Sequence, residues 1–123
     1  MPEPRVVVSA LVVDCHDPDT LAAFWYELLG GELMVWPQYG VVALRAPGVT
    51  IDFTLVPDDK TTKNRLHLDL ATDDPATTVA HAISFGATHV RDHDEFTVLQ
   101  DPEGNEFCVL FKANPEAPWA PPN

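Results

Sequence analysis

Apolar and polar positions along this chain fall into two successive rounds of one pattern. Arg5 to Val13, RVVVSALVV, is an apolar run closed by Asp14-Cys15-His16-Asp17-Pro18, which predicts a buried first strand. Asp17 can cap a helix with Pro18 in its first turn, and Leu21, Phe24, Trp25, Leu28 and Leu29 recur at helical spacing until Gly30-Gly31. Three short strands are expected next: Glu32 to Trp36, Val41 to Arg45, and Val49 to Val56 after the Pro47-Gly48 turn.

The polar stretch 57–64 reads as a linker, and Arg65 to Ala71, RLHLDLA, alternates as a strand. Asp74 and Pro75 open a second helix with a stripe of Val79, Ala82, Ile83 and Phe85, ended by Gly86. Strands Thr88 to Arg91 and Phe96 to Gln100, the turn Asp101-Pro102-Glu103-Gly104-Asn105 and the strand Glu106 to Phe111 complete the round. The two Asp-Pro starts stand 57 residues apart, and Gly48 and Gly104 stand 56 apart, so the chain is internally duplicated with a one-residue slip. The expected architecture is α+β: two tandem β-α-β-β-β modules forming a curved, cup-shaped mixed sheet covered by two helices. Module one spans 5–56 and module two 65–112, within a single domain over 1–113, and the Pro-rich 114–123 should form an irregular tail.

Alternation also assigns faces. Leu66, Leu68 and Leu70 should pack under the helix, which turns Arg65, His67 and Asp69 into the cup. Phe107, Val109 and Phe111 should take the core side of the last strand, leaving Glu106, Cys108 and Leu110 inward. Ile51, Phe53 and Leu55 oppose Thr50, Asp52 and Thr54, so Asp52 looks inward too. Applying the two offsets, His67 is equivalent to Ala10 and Cys108 to Asp52. This quartet is where four strands would hold a metal, and Ala10 has no donor atom.

Composition narrows the possible partners. The chain has 123 residues, 46% of them hydrophobic, enough for one core. Seven basic against 19 acidic residues give a net charge of −12, which disfavours nucleic-acid binding. No apolar run approaches the roughly 18 residues a membrane span needs, and Met1 to Arg5 carry no signal pattern, so a soluble, cytoplasmic protein is expected. Cys15 and Cys108 are then expected as reduced thiols.

Several inward residues could carry chemistry. His67 suits a metal ligand, a general base or a hydrogen bonder to ligand, or it simply pairs with Asp52 or Asp69. Asp52 and Glu106 could act as acid and base if burial separated their pKa values. Arg65 could clamp a carboxylate or pair with Asp69, and Cys108 needs a nearby cation to become reactive. Trp36, at a strand end, is a candidate for stacking on a ligand.

The stretches Asp17-Pro18 with LAAFWYELLGG, KNRLHLDL at 63–70, FGATHV at 85–90 and LQDPEGNEFCVL at 99–110 resemble the vicinal oxygen chelate superfamily, in its glyoxalase-like and bleomycin-resistance branch. The resemblance covers residues 5–112. It implies small-molecule binding in the cup and a homodimer, in which the cup closes either within one chain or across two. Metal-using relatives carry His or Gln, Glu, His and Glu at the positions of Ala10, Asp52, His67 and Cys108. This chain keeps the usual identity only at His67, so binding without a resident cofactor is the expected mode. The alternative is a glyoxalase-like lyase or isomerase holding Zn, Ni, Mn or Fe through Asp52, His67 and Cys108. An extradiol dioxygenase is disfavoured, because no second histidine joins the quartet.

Overall fold

The structure is a computed structural model that describes residues 3–111. The Pro-rich tail expected at 114–123, with Trp119, lies outside the described residues, as does the last residue assigned to module two.

The elements follow in the order β1 (Leu11–Cys15), α1 (Pro18–Leu29), β2 (Glu32–Trp36), a 3-10 turn (Pro37–Tyr39), β3 (Val41–Ala46) and β4 (Val49–Leu55). Then come β5 (Asp69–Leu70), α2 (Pro75–Phe85), β6 (Thr88–Asp92), β7 (Phe96–Gln100) and β8 (Glu106–Leu110). Both helices start as their sequences dictate. The Asp17 carboxylate accepts from the Thr20 N–H (3.1 Å) and the Thr20 hydroxyl (2.6 Å). Asp74 repeats this with Thr77 at 3.1 and 2.7 Å. Each cap satisfies an amide that has no partner inside its own helix. Beyond α1 the chain turns at Gly31, at φ +102°, where a Cβ would lie 2.2 Å from the Arg45 carbonyl oxygen, so only glycine fits.

The strands form two four-stranded sheets, ordered β1-β4-β3-β2 and β5-β8-β7-β6, rather than one continuous sheet. In each, the first strand pairs in parallel with the last and the other neighbours are antiparallel. The duplicated β-α-β-β-β plan is therefore realised. Among the described residues no helix is long and apolar enough to cross a membrane.

Two strands and several faces differ from expectation. β1 begins at Leu11 rather than Arg5, and Val6, Val7 and Val8 are at least 83% exposed. Register explains this: Leu11 lies opposite Ile51, which puts Ser9 level with Val49, the first residue of β4. Residues before Ser9 run past their partner strand and find no ladder. β5 shrinks from the expected 65–71 to Asp69–Leu70 for the same reason. Asp69 pairs with Cys108, so Arg65 and Leu66 lie beyond the start of β8 at Glu106. Leu66 accordingly stands 68% exposed instead of packing under a helix, whereas Leu68 and Leu70 do reach the core. Leu55 and Phe111, at strand ends, are also exposed rather than buried, as are Ile83 and Phe85 near the end of α2.

The core joins the modules. Phe24 and Trp25 of α1 meet Phe107 of β8 edge-on, with centroids 5.9 and 4.9 Å away, and meet each other at 5.2 Å. Leu21, Leu44, Ile51, Phe53, Leu99 and Val109 fill the remainder. Two carboxylates of the 101–105 turn fasten α1 to module two. Asp101, nearly fully buried, accepts from the Trp25 indole N–H at 3.3 Å. Glu103 accepts from the backbone N–H groups of His16 and Asp17 at 2.8–3.1 Å.

Candidate functional site

The inner face of module two carries a dense polar cluster. β5 and β8 are neighbours with Asp69 opposite Cys108, and the two-residue period puts His67 and Glu106 on that same face. His67 Nε2 lies 3.2 Å from Asp69 Oδ1, both side chains being about half exposed. Donor atoms of His67, Asp69 and Cys108 all lie within 4.8 Å of one another. Glu106 is paired with Lys63, and Arg91 Nη1 of β6 approaches its other oxygen at 3.9 Å. The Asn64 side chain accepts from the Glu106 backbone N–H at 3.1 Å, which holds the segment leading into β5 against β8. Phe96, Val98 and Leu110 complete a basin of about 310 Å³ around these groups.

Electrostatics assign different roles inside this basin. The Lys63 ammonium beside Glu106 holds its carboxyl below the usual glutamate range. An ionised, ion-paired Glu106 anchors charge and is a weak proton acceptor at neutral pH. Burial, followed by the Asp69 charge, pushes the Cys108 thiol up, so it stays protonated at neutral pH. The Cys15 thiol is pushed up to about 11 by burial and by the carboxylates of Glu103, Asp17, Asp101 and Asp14. Both cysteines are free and buried.

Beside the basin, a cleft of about 390 Å³ opens between β1 and the segment leading into β5. Buried Trp25, Phe53 and Phe107 and exposed Val12 and Leu66 contribute its apolar surface. Arg65, Asn64, Asp14 and Asn105 add polar groups, and His67 and Glu106 line both cleft and basin.

The residues expected at the site are thus only partly gathered. Arg65, His67, Asp69, Glu106 and Cys108 converge on module two and its cleft. Asp52 pairs across the ladder with Val12 and Ala43 on module one, and it is not among the donors grouped with His67 and Cys108. Trp36 sits on β2, the strand farthest from β1 in its sheet, and lines neither hollow. Lys63 and Arg91 escaped the reading by alternation, because one lies in the linker and the other beside a bulge between His89 and Arg91. Asp101 and Glu103 were legible only as turn residues, since nothing local reveals that they reach across to α1.

Two β-α-β-β-β units with parallel outer pairs define the glyoxalase/bleomycin-resistance class of fold. The chain belongs to the glyoxalase-like domain family, whose sequence profile matches residues 10–110. Solved structures agree at the level of the fold. A glyoxalase/bleomycin resistance protein/dioxygenase family enzyme from Burkholderia phytofirmans is 22% identical, with a TM-score of 0.69, over 82% of this chain and 94% of that one. The hypothetical protein SA1046 from S. aureus is 16% identical, with a TM-score of 0.70, over 87% and 94%. The fosfomycin resistance protein FosX from Mesorhizobium loti is 7% identical, with a TM-score of 0.70, over 85% and 90%. No curated protein matches the chain in sequence.

The four-ligand metal set of metal-using relatives does not fit these residues. Ala10 offers only a methyl group, Asp52 stands apart from the other donors, and a thiol replaces a carboxylate at Cys108.

Proposed function

We propose that this protein binds a small organic molecule where the apolar cleft meets the charged basin, without the four-ligand metal of its relatives, as a cytoplasmic homodimer. The observation that carries the reading is the junction at His67 and Glu106, where an apolar wall and several convergent polar groups meet in a hollow of about 390 Å³. Ligand sites of this kind pair apolar area for affinity with a few placed polar groups for orientation. His67 and Arg65 supply hydrogen bonds at the rim, and Trp25 and Phe107 supply aromatic surface.

Dimer formation has its own support. β1 pairs only with β4 and β5 only with β8, so each sheet keeps an open edge among the described residues. The exposed Val6-Val7-Val8 arm continues from one of those edges. An open edge followed by exposed valines favours pairing with a second copy.

The test is a thermal-shift screen of chelator-treated full-length protein, followed by calorimetry on hits. A ligand should raise the melting temperature with no divalent ion present, and His67→Ala should weaken it at least tenfold without lowering the ligand-free melting temperature. A hit that binds only when a divalent ion is supplied would overturn the reading. For assembly, sedimentation of the 13.5 kDa chain should report twice that mass, and a Val7→Asp variant should shift it towards the monomer. A monomer at all concentrations would sink the dimer.

A further inference from the structure

The two walls of the apolar cleft carry opposite charges, Asp14 on β1 and Arg65 in the segment leading into β5. Neither side chain makes an ion pair among the described residues. We propose that the cleft takes the zwitterion of an apolar α-amino acid, its ammonium on Asp14 and Asn105, its carboxylate on Arg65 and its side chain against Trp25, Phe53 and Phe107. This ligand class rests on the binding reading above and narrows it. None of these residues stands at the four positions where metal-using relatives hold their ion.

Both charges sit on backbone that is held in place. Asp14 lies in the β1–β4 ladder, opposite Thr54. Arg65 precedes β5, where no ladder holds the chain, and the Asn64 side chain takes over. It accepts from the Glu106 N–H at 3.1 Å and donates to the Leu66 carbonyl, so the chain on either side of Arg65 is tied to β8 through one amide. Asn105 is fixed as firmly. Its backbone N–H donates to Asp101 Oδ1 at 3.0 Å and its side-chain N–H to Asp101 Oδ2 at 3.5 Å, which leaves the amide oxygen without a partner among the described residues. Asp14 and Asn105 line both the cleft and the neighbouring hollow beside His16 and Asp58, so they share one end of the cleft. His67 and Glu106, common to cleft and basin, mark the other end.

The chemistry selects a zwitterion. A planar carboxylate takes two parallel bonds from a guanidinium, and an ammonium offers three donors to the Asp14 carboxylate and the Asn105 amide oxygen. Trp25, Phe53 and Phe107 are buried, and the parts of them that reach the cleft offer apolar surface to a side chain. A ligand with one charge would cover Asp14 or Arg65 without pairing it, at a desolvation cost. The net charge of −12 repels simple anions, whereas a zwitterion carries no net charge. Nearby carboxylates do not compete for the ammonium, because Glu106 is paired with Lys63 and Arg91 and Asp69 with His67. A volume of about 390 Å³ lies near the lower end of the roughly 300–1,000 Å³ of small-molecule sites, which suits one amino acid better than a peptide.

L-phenylalanine, L-leucine and L-methionine should be titrated into full-length protein at neutral pH by calorimetry. Two analogues of phenylalanine isolate its charges: 3-phenylpropionate lacks the ammonium and L-phenylalaninol lacks the carboxylate. At least one of the amino acids should bind, and phenylalanine should bind at least about tenfold tighter than either analogue, the value of one charge-assisted contact. Arg65→Gln should erase the preference over phenylalaninol and keep that over phenylpropionate, and Asp14→Asn should do the reverse. The analogue series on wild type tests the same point without relying on either variant. An analogue that binds as tightly as phenylalanine would overturn the proposal, as would an unchanged preference in both variants. Absence of binding by all three amino acids, while another molecule from the thermal-shift screen binds, would sink this ligand class and leave the binding reading standing. A screen with no hit of any kind would sink both.

Discussion

The two modules share a backbone plan but differ in what their inner faces carry. On module one, Val12, Asp52, Ala43 and Met34 line up across the sheet, a row with one charged side chain. On module two the corresponding face holds His67, Asp69, Cys108 and Glu106, flanked by Lys63 and Arg91. Both modules keep the helix caps, the strand order and the parallel pairing of first and last strand. They differ in how charge is gathered: on module one Asp14, Asp52 and the neighbours Arg45 and Glu32 fall in three different rows of the same face. The strand ladder and the helix seat depend on the outer face and the backbone, so an inner face can change without unfolding its module.

The strongest test of this division strikes the joint between the modules. Phe107→Ala removes the ring that meets both Phe24 and Trp25, and should cost about 3–5 kcal/mol in urea unfolding. A loss below about 1 kcal/mol would mean that the modules do not rely on that aromatic contact.

Asp101→Ala should cost less, about 1–3 kcal/mol, by leaving the Trp25 indole and the amides of Glu103 and Asn105 without their acceptor. Its pH dependence has a definite sign. Burial raises the Asp101 carboxyl above its ordinary value of 3.8. The stability this shift contributes is therefore complete below pH 3.8 and is lost as pH rises through the folded-state value. Unfolding of wild type and Asp101→Asn, measured from pH 3.5 to 7, should show the stability of wild type relative to the variant falling with pH. A difference that rises across that range would contradict the assignment.

Smaller effects separate the two inner faces. Lys63 lowers the Glu106 pKa, so that stability is present above the ordinary value of 4.5 and is lost as pH falls through the lowered one. Glu106→Gln should thus lose up to about 1 kcal/mol at pH 7, and the loss should shrink towards zero in acid. Asp52→Asn on module one should stay within about 0.5 kcal/mol by the same unfolding measurement. If Asp52→Asn proved the more costly, the contrast between charges spread over one face and charges clustered on the other would be wrong.

Much of this was legible in residues that act locally. Asp17-Pro18 and Asp74-Pro75 mark the helix starts because a cap needs only its own next three residues. Alternation placed Asp69, Cys108 and Glu106 on one face because side chains on a strand alternate with a period of two. It failed for Leu66, where the same alternation continues beyond the last residue able to pair. Asp52 marks a different limit, since within this chain it lies on the ladder of module one, outside the group of His67, Asp69 and Cys108.

Taken alone, the sequence determined the duplication, both helices with their caps, and the face on which most strand residues lie. These depend on interactions a few residues long. Only the tertiary structure decided how far β1 and β5 extend, that Asp101 and Glu103 bridge the modules, and that Asp69 rather than Asp52 joins His67 and Cys108. Each depends on where a distant partner strand begins or how two modules are seated. Such distances arise from packing between segments 40 to 90 residues apart, and no local pattern encodes them.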